Sequence, residues 1–137
     1  MKRGTQRMNR FLSGLMVVIA CLSALAACGG SGGGDAQQTV MTWCRLAAFP
    51  ANRTGEKIEP KEYNGTREID VTFQVSAAEI ATWVAASSGL KGAISTPAQS
   101  ADGNVTMYTI ASKEKNGPYC VAQISPVGKV RIKAYEK

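Results

Sequence analysis

The sequence predicts a small α+β domain in which one helix packs across an antiparallel sheet of about four to five strands, with one disulfide. Three observations predict this fold class: a segment whose apolar side chains alternate with a period of two, a segment with helical spacing directly after it, and three later β-prone segments separated by turn residues. A helix and an antiparallel sheet can bury their apolar faces against each other. The 137 residues leave room for one such domain and a short N-terminal segment.

The clearest strand covers residues 67–75. Its apolar side chains occupy every second position, with polar residues between them: Ile69, Val71, Phe73 and Val75. Successive side chains of a strand point to opposite faces of the sheet, so one face of this strand is expected to be buried and the other to contact solvent.

A helix of about three turns is predicted directly after this strand. Ser76 and Glu79 have the spacing of a capping box, which satisfies two backbone N–H groups at a helix N-terminus. The apolar positions that follow have helical spacing: Ile80, Trp83 and Val84. Gly89 stands where a left-handed C-terminal cap is expected.

The remaining segments complete the predicted order of strand, strand, helix and three strands. Residues 39–46 are β-prone and are predicted to form the first strand, while residues 50–66, with two prolines and several charges, are expected to form an exposed connection. Residues 89–104 are rich in glycine, proline and small polar residues and are expected to form a long loop. A three-stranded meander is predicted at residues 105–111, 119–124 and 130–135.

The positive charge of the chain is concentrated at its N-terminus. Of 16 basic residues, four lie within residues 1–10 and no acid lies within residues 1–27, so the remaining 110 residues carry 12 basic and 10 acidic side chains. This nearly neutral body has no arginine cluster, no zinc-finger spacing and no aromatic pattern of an RNA-binding sheet. The composition therefore argues against nucleic-acid binding.

The first 28 residues have the organisation of a secretory leader. Residues 1–10 are basic, residues 11–27 are apolar or small, and the run ends in Leu25-Ala26-Ala27-Cys28. This tetrad resembles the lipobox of bacterial lipoproteins, and the resemblance implies that residues 1–27 are a signal peptide and that Cys28 carries the lipid anchor. Gly29, in the sorting pattern of that family, implies the outer membrane. A retained transmembrane helix is the alternative interpretation.

The lipidated Cys28 and the glycine-rich residues after it are predicted to form a tether over residues 28–38. Five of the seven residues at positions 29–35 are glycine, whose backbone loses much entropy when it becomes ordered. The folded domain is therefore expected to cover residues 39–137, close to the membrane. The expected location is the cell envelope, in contact with the membrane through the lipid anchor.

Two cysteines, Cys44 and Cys120, remain in the body after lipidation of Cys28 and removal of the leader. Disulfides persist in oxidising compartments outside the cytoplasm, so these two residues are predicted to pair. Two buried free thiols or a reactive pair are the alternatives.

No catalytic, cofactor-binding or metal site is predicted. The chain has no histidine, which excludes serine–histidine relays and histidine-ligated metals. Two Ser-x-x-Lys strings begin at Ser88 and Ser112, but the further motifs of penicillin-binding proteins are absent. Three glutamates alternate with lysines in a loop-like segment that is typical of a solvated surface: Glu56, Glu59 and Glu62.

The last predicted strand carries a set of mostly basic residues on one face, called here the basic stripe: Lys129, Arg131, Lys133, Tyr135 and Lys137. Val130, Ile132 and Ala134 are expected to point to the core. One interpretation is that the lysines keep a terminal strand, expected at the sheet edge, from pairing with other sheets. The other interpretation is a contact face for anionic headgroups or an acidic partner.

These features together predict a lipid-anchored cell-envelope protein that is not an enzyme and binds another envelope macromolecule, as an accessory subunit or an inhibitor or immunity-type binder. The partner is expected to be an envelope protein or the cell wall. A small envelope enzyme and a passive structural lipoprotein that contacts the cell wall are the alternatives. Affinity purification and co-sedimentation with peptidoglycan would distinguish these hypotheses.

Overall fold

The computed structural model describes residues 33–137, so the predicted signal peptide and Cys28 lie outside the described residues. The described part of the chain is a small α+β domain with a six-stranded antiparallel sheet. Its elements in chain order are α1 (Gly33–Trp43), β1 (Thr54–Tyr63), β2 (Thr66–Gln74), α2 (Ala77–Ala86), α3 (Ser88–Lys91), β3 (Ile94–Ser100), β4 (Gly103–Ile110), β5 (Tyr119–Ile124) and β6 (Lys129–Glu136).

The strands lie in the order β1-β2-β6-β5-β4-β3, and every neighbouring pair is antiparallel. The predicted meander of β4, β5 and β6 is confirmed. The last strand, β6, lies between β2 and β5, so β1 and β3 form the two edges. The expectation that the last strand lies at a sheet edge is therefore wrong.

The core lies between one face of the sheet and the helices. The alternating residues of β2 and β6 that were expected to be buried are each at most 3% exposed: Ile69, Val71, Phe73, Val130, Ile132 and Ala134. Burial of these side chains stabilises the folded state by about 25 cal/mol of free energy for each Å² of apolar surface removed from water. The central strands therefore form where the sequence alternation predicts them.

The predicted capping box of α2 is present. Ser76 Oγ accepts from the backbone N–H of Glu79, and the Glu79 carboxylate accepts from the backbone N–H of Ser76. Trp83 is 4% exposed and forms edge-to-face contacts with Phe73 and Phe49, whose ring centroids lie 5.7 and 6.0 Å from its own. Trp83 is thus a core residue, as its helical spacing predicts, and α2 covers one part of the sheet.

Helix α1 replaces the first predicted strand and part of the predicted tether. Residues 39–46 were expected to form a strand and residues 33–38 to belong to the tether, but Gly33–Trp43 is helical. Ala36, Val40 and Cys44 follow one another at intervals of four residues and are all nearly inaccessible, so helical packing outweighs the β propensity of this segment. The sheet is thus covered by α1 and α2 rather than by one helix.

A disulfide joins the end of α1 to β5. The Cα atoms of Cys44 and Cys120 lie 5.7 Å apart, the two sulfurs are bonded, and both residues are 0% exposed. The predicted pairing is confirmed, and the alternatives of free or reactive thiols are wrong.

Both edge strands lie in segments that were expected to be irregular. The predicted connection at residues 50–66 contains β1, which forms a hairpin with β2. The predicted loop at residues 89–104 contains β3, together with the last three residues of α3 and the start of β4. Most side chains of both strands are exposed on both faces, so their sequences lack the alternation that marks a half-buried strand.

Candidate binding face on the uncovered side of the sheet

The sheet has one covered face and one that none of the helices within residues 33–137 covers, called here the open face. Directly paired residues of neighbouring strands share a face, so the register assigns side chains to it. Its residues on β1, β2 and β6 include Lys57, Glu59, Lys61, Glu68, Asp70, Thr72, Gln74, Lys129, Arg131, Lys133 and Tyr135. Its residues on β3, β4 and β5 include Ile94, Thr96, Ala98, Val105, Met107, Thr109, Tyr119, Val121 and Gln123.

The structure places four members of the predicted basic stripe on this open face. Lys129, Arg131, Lys133 and Tyr135 alternate with the buried residues of β6, and Lys137 follows the end of that strand. Because β6 is an internal strand, protection of a sheet edge does not explain the stripe. The stripe crosses the middle of the open face.

Arg131 is held by a buried carboxylate on the neighbouring strand β2. Its Nε donates to Asp70 Oδ1 at 3.1 Å and its Nη2 donates to Oδ2 at 2.5 Å. Asp70 is 4% exposed, whereas the Arg131 side chain is half exposed. The hydrogen bond to Asp70 raises the pKa of Arg131 above its ordinary value. This two-point contact fixes the plane of the guanidinium group.

Two of the three lysines of the stripe, Lys129 and Lys133, also have acidic neighbours. Lys133 Nζ lies 3.4 Å from Glu68 Oε1 and 4.0 Å from Asp70 Oδ2. Lys129 Nζ lies 3.0 Å from the Asp102 carboxylate in the β3–β4 turn. The three cations that the stripe places on β6 are therefore all ion-paired, so the stripe is not an uncompensated positive surface.

Two tyrosines stack at the other end of the stripe. The rings of Tyr119 and Tyr135 lie 4.8 Å apart between centroids at an interplanar angle of 17°, and Tyr119 is 40% exposed. Partial burial raises the pKa of Tyr135, so its hydroxyl stays neutral at physiological pH. The pair gives the open face a flat aromatic surface with polar tips.

The half of the open face on β3, β4 and β5 carries no charged side chain among the residues named above. Ile94 at its edge is 72% exposed, and Thr109 and Val121 lie beside it in the paired register. The open face is thus divided into a charged half, where acids and bases alternate, and a largely apolar half.

A groove of about 370 Å³ lies at the end of the open face where β6 begins. The start of β1 and the β3–β4 turn form its walls, and the Lys129–Asp102 ion pair lies at its rim. Its polar side chains include Thr72, Gln74, Ser100, Asp102, Gln123, Lys129 and Arg131. This is a volume at the small end of the range for small-molecule sites.

The other candidate residues do not form a catalytic arrangement in the described residues. Ser88 Oγ donates to the backbone carbonyl of Arg45 at 3.3 Å, and Ser112 Oγ accepts from the backbone N–H of Glu114 at 3.1 Å. Glu56 pairs with Arg53, and Glu59 and Glu62 alternate to opposite faces of β1. The strings and carboxylates singled out by the sequence are thus dispersed.

Residues 33–137 contain neither a candidate metal centre nor a helix that could span a membrane. Within that range, no group of three or more cysteine, aspartate or glutamate side chains has a geometry that could hold a metal ion. The helices described there are all too short or too polar to cross a membrane.

Sequence reasoning missed Asp70 and the two glutamines of the groove. Asp70 alternates with the buried residues of β2 like any solvent-facing residue, and its partner Arg131 lies 61 positions away. Gln74 and Gln123 lie opposite Lys129 and Arg131 only because of the register of β6 with its two neighbours. The available signal was an acid in an alternating strand, which by itself does not reveal its partner.

Comparison with family models, with curated proteins and with solved structures found no match for this chain.

Proposed function

We propose that this chain is a lipid-anchored protein of the cell envelope, held by Cys28 in the outer membrane, that binds another envelope protein and catalyses no reaction. The observation that carries the proposal is the open face: a whole side of a disulfide-linked sheet that no described helix covers. The lipobox supports the location, and the residue types on the open face support a protein partner.

The charge balance of the open face favours a protein over a lipid surface or a polyanion. Its five basic residues face four acidic ones, if Asp102 at its end is included, which leaves a net charge of +1. Binding to anionic headgroups or nucleic acid depends on an excess of unpaired positive charge. A nearly neutral face that carries charges of both signs suits a partner with its own pattern of charges.

The residue types of the open face are those that carry energy at protein interfaces. Tyrosine and arginine are enriched among residues that dominate binding, and the stacked tyrosines and fixed Arg131 lose little conformational entropy on binding. The adjoining apolar half around Val121 can be removed from water by a partner. The open face thus combines an apolar area with anchored polar groups.

Site-directed photo-crosslinking in cells tests this proposal. A photoreactive amino acid replaces Thr109, which is exposed in the apolar half of the open face, or Ala85, which is exposed on α2 at the covered side. The full lipidated chain is then irradiated in living cells and purified after membrane solubilisation. We expect one protein partner to be crosslinked at Thr109 and not at Ala85, and to co-purify with the unmodified chain in fixed stoichiometry.

Two results would contradict the proposal. Equal crosslinking at both positions would show that the open face has no special role. Co-sedimentation with peptidoglycan without any protein partner would instead support a structural lipoprotein.

A further inference from the structure

We propose that the groove at the end of the open face binds the free C-terminal carboxylate of a peptide, with Arg131 and Lys129 as its ligands. This inference rests on the proposed function, because it names the part of a protein partner that the open face recognises. Its support comes from the orientation of Arg131, the charge of the groove and the polar groups around it.

Arg131 is positioned as an anion-binding group whose own partner leaves one edge free. Asp70 occupies the edge of the guanidinium formed by Nε and Nη2. The other edge is formed by Nη1 and the second N–H of Nη2. It donates no hydrogen bond to any acceptor among residues 33–137. Two parallel N–H groups on a fixed plane match the two oxygens of a carboxylate.

Lys129 can turn to the same anion. Its partner Asp102 is exposed on a turn, and the side chains of this pair are 48% and 63% exposed. Exposed ion pairs contribute little to stability, so replacing Asp102 by a ligand carboxylate costs little. The turn that carries Asp102 also forms a wall of the groove, so this exchange would occur at the rim of the site.

The charges at the groove favour a carboxylate over a more highly charged anion. The charged lining residues are the cations Lys129 and Arg131 and the acid Asp102, which gives the groove a net charge of +1. The carboxylate of Asp70, which pairs with Arg131, makes the electrostatic potential there less positive still. A doubly charged phosphate would retain excess negative charge there, whereas a carboxylate brings a single charge.

The neutral groups beside the cations fit the remainder of a peptide. Gln123 on β5 lies directly opposite Arg131, and Gln74 on β2 lies directly opposite Lys129. Side-chain amides can both donate to and accept from peptide groups, and the hydroxyl of Thr72 adds a further donor. Val105, which is 8% exposed, provides an apolar part of the lining.

Titration of the isotopically labelled full chain in detergent micelles tests the assignment. The probes are acetyl-Ala-Ala-Ala with a free carboxylate and the same peptide with a C-terminal amide, followed by ¹H–¹⁵N spectra. We expect the free acid to shift the Arg131 side-chain Nε–H and the backbone amides of Gln123 and Lys129. The amide peptide should bind at least about tenfold more weakly because it lacks the charged acceptor.

Three variants make the test specific. Gln123→Glu places a carboxylate beside Arg131, and Arg131→Lys keeps the charge beside Asp70 but removes the planar fork. Each is expected to weaken binding of the free acid by about tenfold or more. The control Lys115→Gln lowers the net charge by one, as Gln123→Glu does. Lys115 lies in the β4–β5 connection, at the end of β5 opposite the groove, so this variant should bind the free acid as the parent chain does.

The outcomes separate this inference from the proposed function. Equal binding of acid and amide, shifts away from the groove, or unchanged binding in Gln123→Glu with a native spectrum would overturn the carboxylate assignment. If a partner is nevertheless crosslinked at Thr109, the proposed function stands without it. If the free acid binds as expected but no partner is crosslinked, the groove is a peptide site and the proposed protein interface fails.

Discussion

The carboxylate of Asp70 is 4% exposed and meets two cations from the neighbouring strand, Arg131 and Lys133. Removal of a partner from a buried ion pair typically costs about 3–5 kcal/mol, because the remaining charge has lost its hydration. The half-exposed position of Arg131 lowers this cost. The two hydrogen bonds from Arg131 to Asp70 therefore fix the orientation of the guanidinium group, and we expect loss of either partner to cost less than for a fully buried pair.

Gly128 illustrates a residue whose identity is set by the space around it. Its backbone has a φ of +89°, and a Cβ at this position would lie 1.8 Å from the carbonyl oxygen of Val75. The carbonyl of Gly128 accepts from the N–H of Val75 at 3.0 Å, so the β5–β6 turn lies directly against the end of β2. The turn residue predicted from the sequence is thus also a contact between strands.

Glu79 gives a prediction about pH at this scale. Hydrogen bonds from Ser76 Oγ, then from Asn52 Nδ2, then from the Ser76 backbone N–H lower the pKa of the Glu79 carboxyl below its ordinary value of 4.5. A depressed folded-state pKa stabilises the fold fully above the unfolded-state pKa, and this stabilisation is lost as pH falls through the folded-state value. Urea unfolding should therefore show Glu79→Gln to be less stable than the parent chain at pH 7, with the difference decreasing below pH 4.5.

Glu62→Gln is the matched control for this experiment. Glu62 lies exposed on the edge strand β1, and its carboxylate has no hydrogen bond among residues 33–137. The control should not reproduce the pH-dependent difference. A stability difference for Glu79→Gln that stays constant from neutral pH to below pH 4.5 would contradict the role of the charge.

At the scale of elements, the sequence pattern predicted the helix and strands that bury one face and missed the two strands that are mostly exposed. β2, α2 and the meander carry periodic apolar positions, and all were expected. β1 and β3 lie at the sheet edges, expose most side chains on both faces, and contain Pro60 and Pro97. Proline is tolerated at an edge because the missing N–H faces away from the ladder, so these residues marked edge strands and not loops.

Helix α1 was missed for a different reason. Thr39, Val40 and Thr42 favour strands locally, and the glycines before them suggested a tether. The Cys44–Cys120 disulfide and the burial of Ala36 and Val40 against the sheet supply the tertiary contacts that hold the helix. Such contacts between distant segments are not visible in a window of local sequence.

The disulfide gives the prediction for elements. Replacing both Cys44 and Cys120 by alanine opens a loop with a sequence separation of 76 residues, and the chain-entropy model gives a loss of about 4.5 kcal/mol in the free energy of unfolding. Because the bond ties the end of α1 to β5, amide hydrogen exchange in α1 should increase more than exchange in β2 or β6. Urea unfolding and exchange measured by mass spectrometry check both expectations.

The reduced parent chain is the control, and it should behave like the double variant. Equal protection of α1 with and without the bond would show that Ala36 and Val40 alone hold the helix. A loss of protection spread evenly over all elements would contradict the specific attachment of α1.

At the scale of the whole molecule, the two faces of the sheet differ in what they carry. One face packs on α1 and α2 and contains the aromatic cluster of Phe49, Phe73 and Trp83. The other presents ion pairs, stacked tyrosines and a groove. The position of the basic stripe on one face was predictable from alternation along β6. Its pairing with Glu68 and Asp70 depends on β2 lying beside β6, and the sequence did not predict this strand order.

The start of α1 also changes the expected distance between domain and membrane. Four residues separate Cys28 from Gly33, where the described part of α1 begins, so the proposed lipid attachment point and Gly33 can be at most about 18 Å apart. The tether predicted from the sequence extended to residue 38. If Cys28 carries the proposed lipid anchor, a partner of the open face would therefore bind close to the membrane surface.

The lipid anchor gives the prediction for the whole molecule. Three acyl chains on Cys28, as the lipobox resemblance implies, exceed the two needed for stable attachment, so Cys28→Ala should abolish incorporation of a labelled fatty acid and block processing of the leader. Cys21→Ala, a cysteine within the same apolar run, is the matched control and should be labelled, processed and membrane-bound like the parent chain. Mass spectrometry of the purified chains measures both events. A Cys28→Ala chain that is still processed and membrane-bound at the parent mass would contradict the lipoprotein assignment.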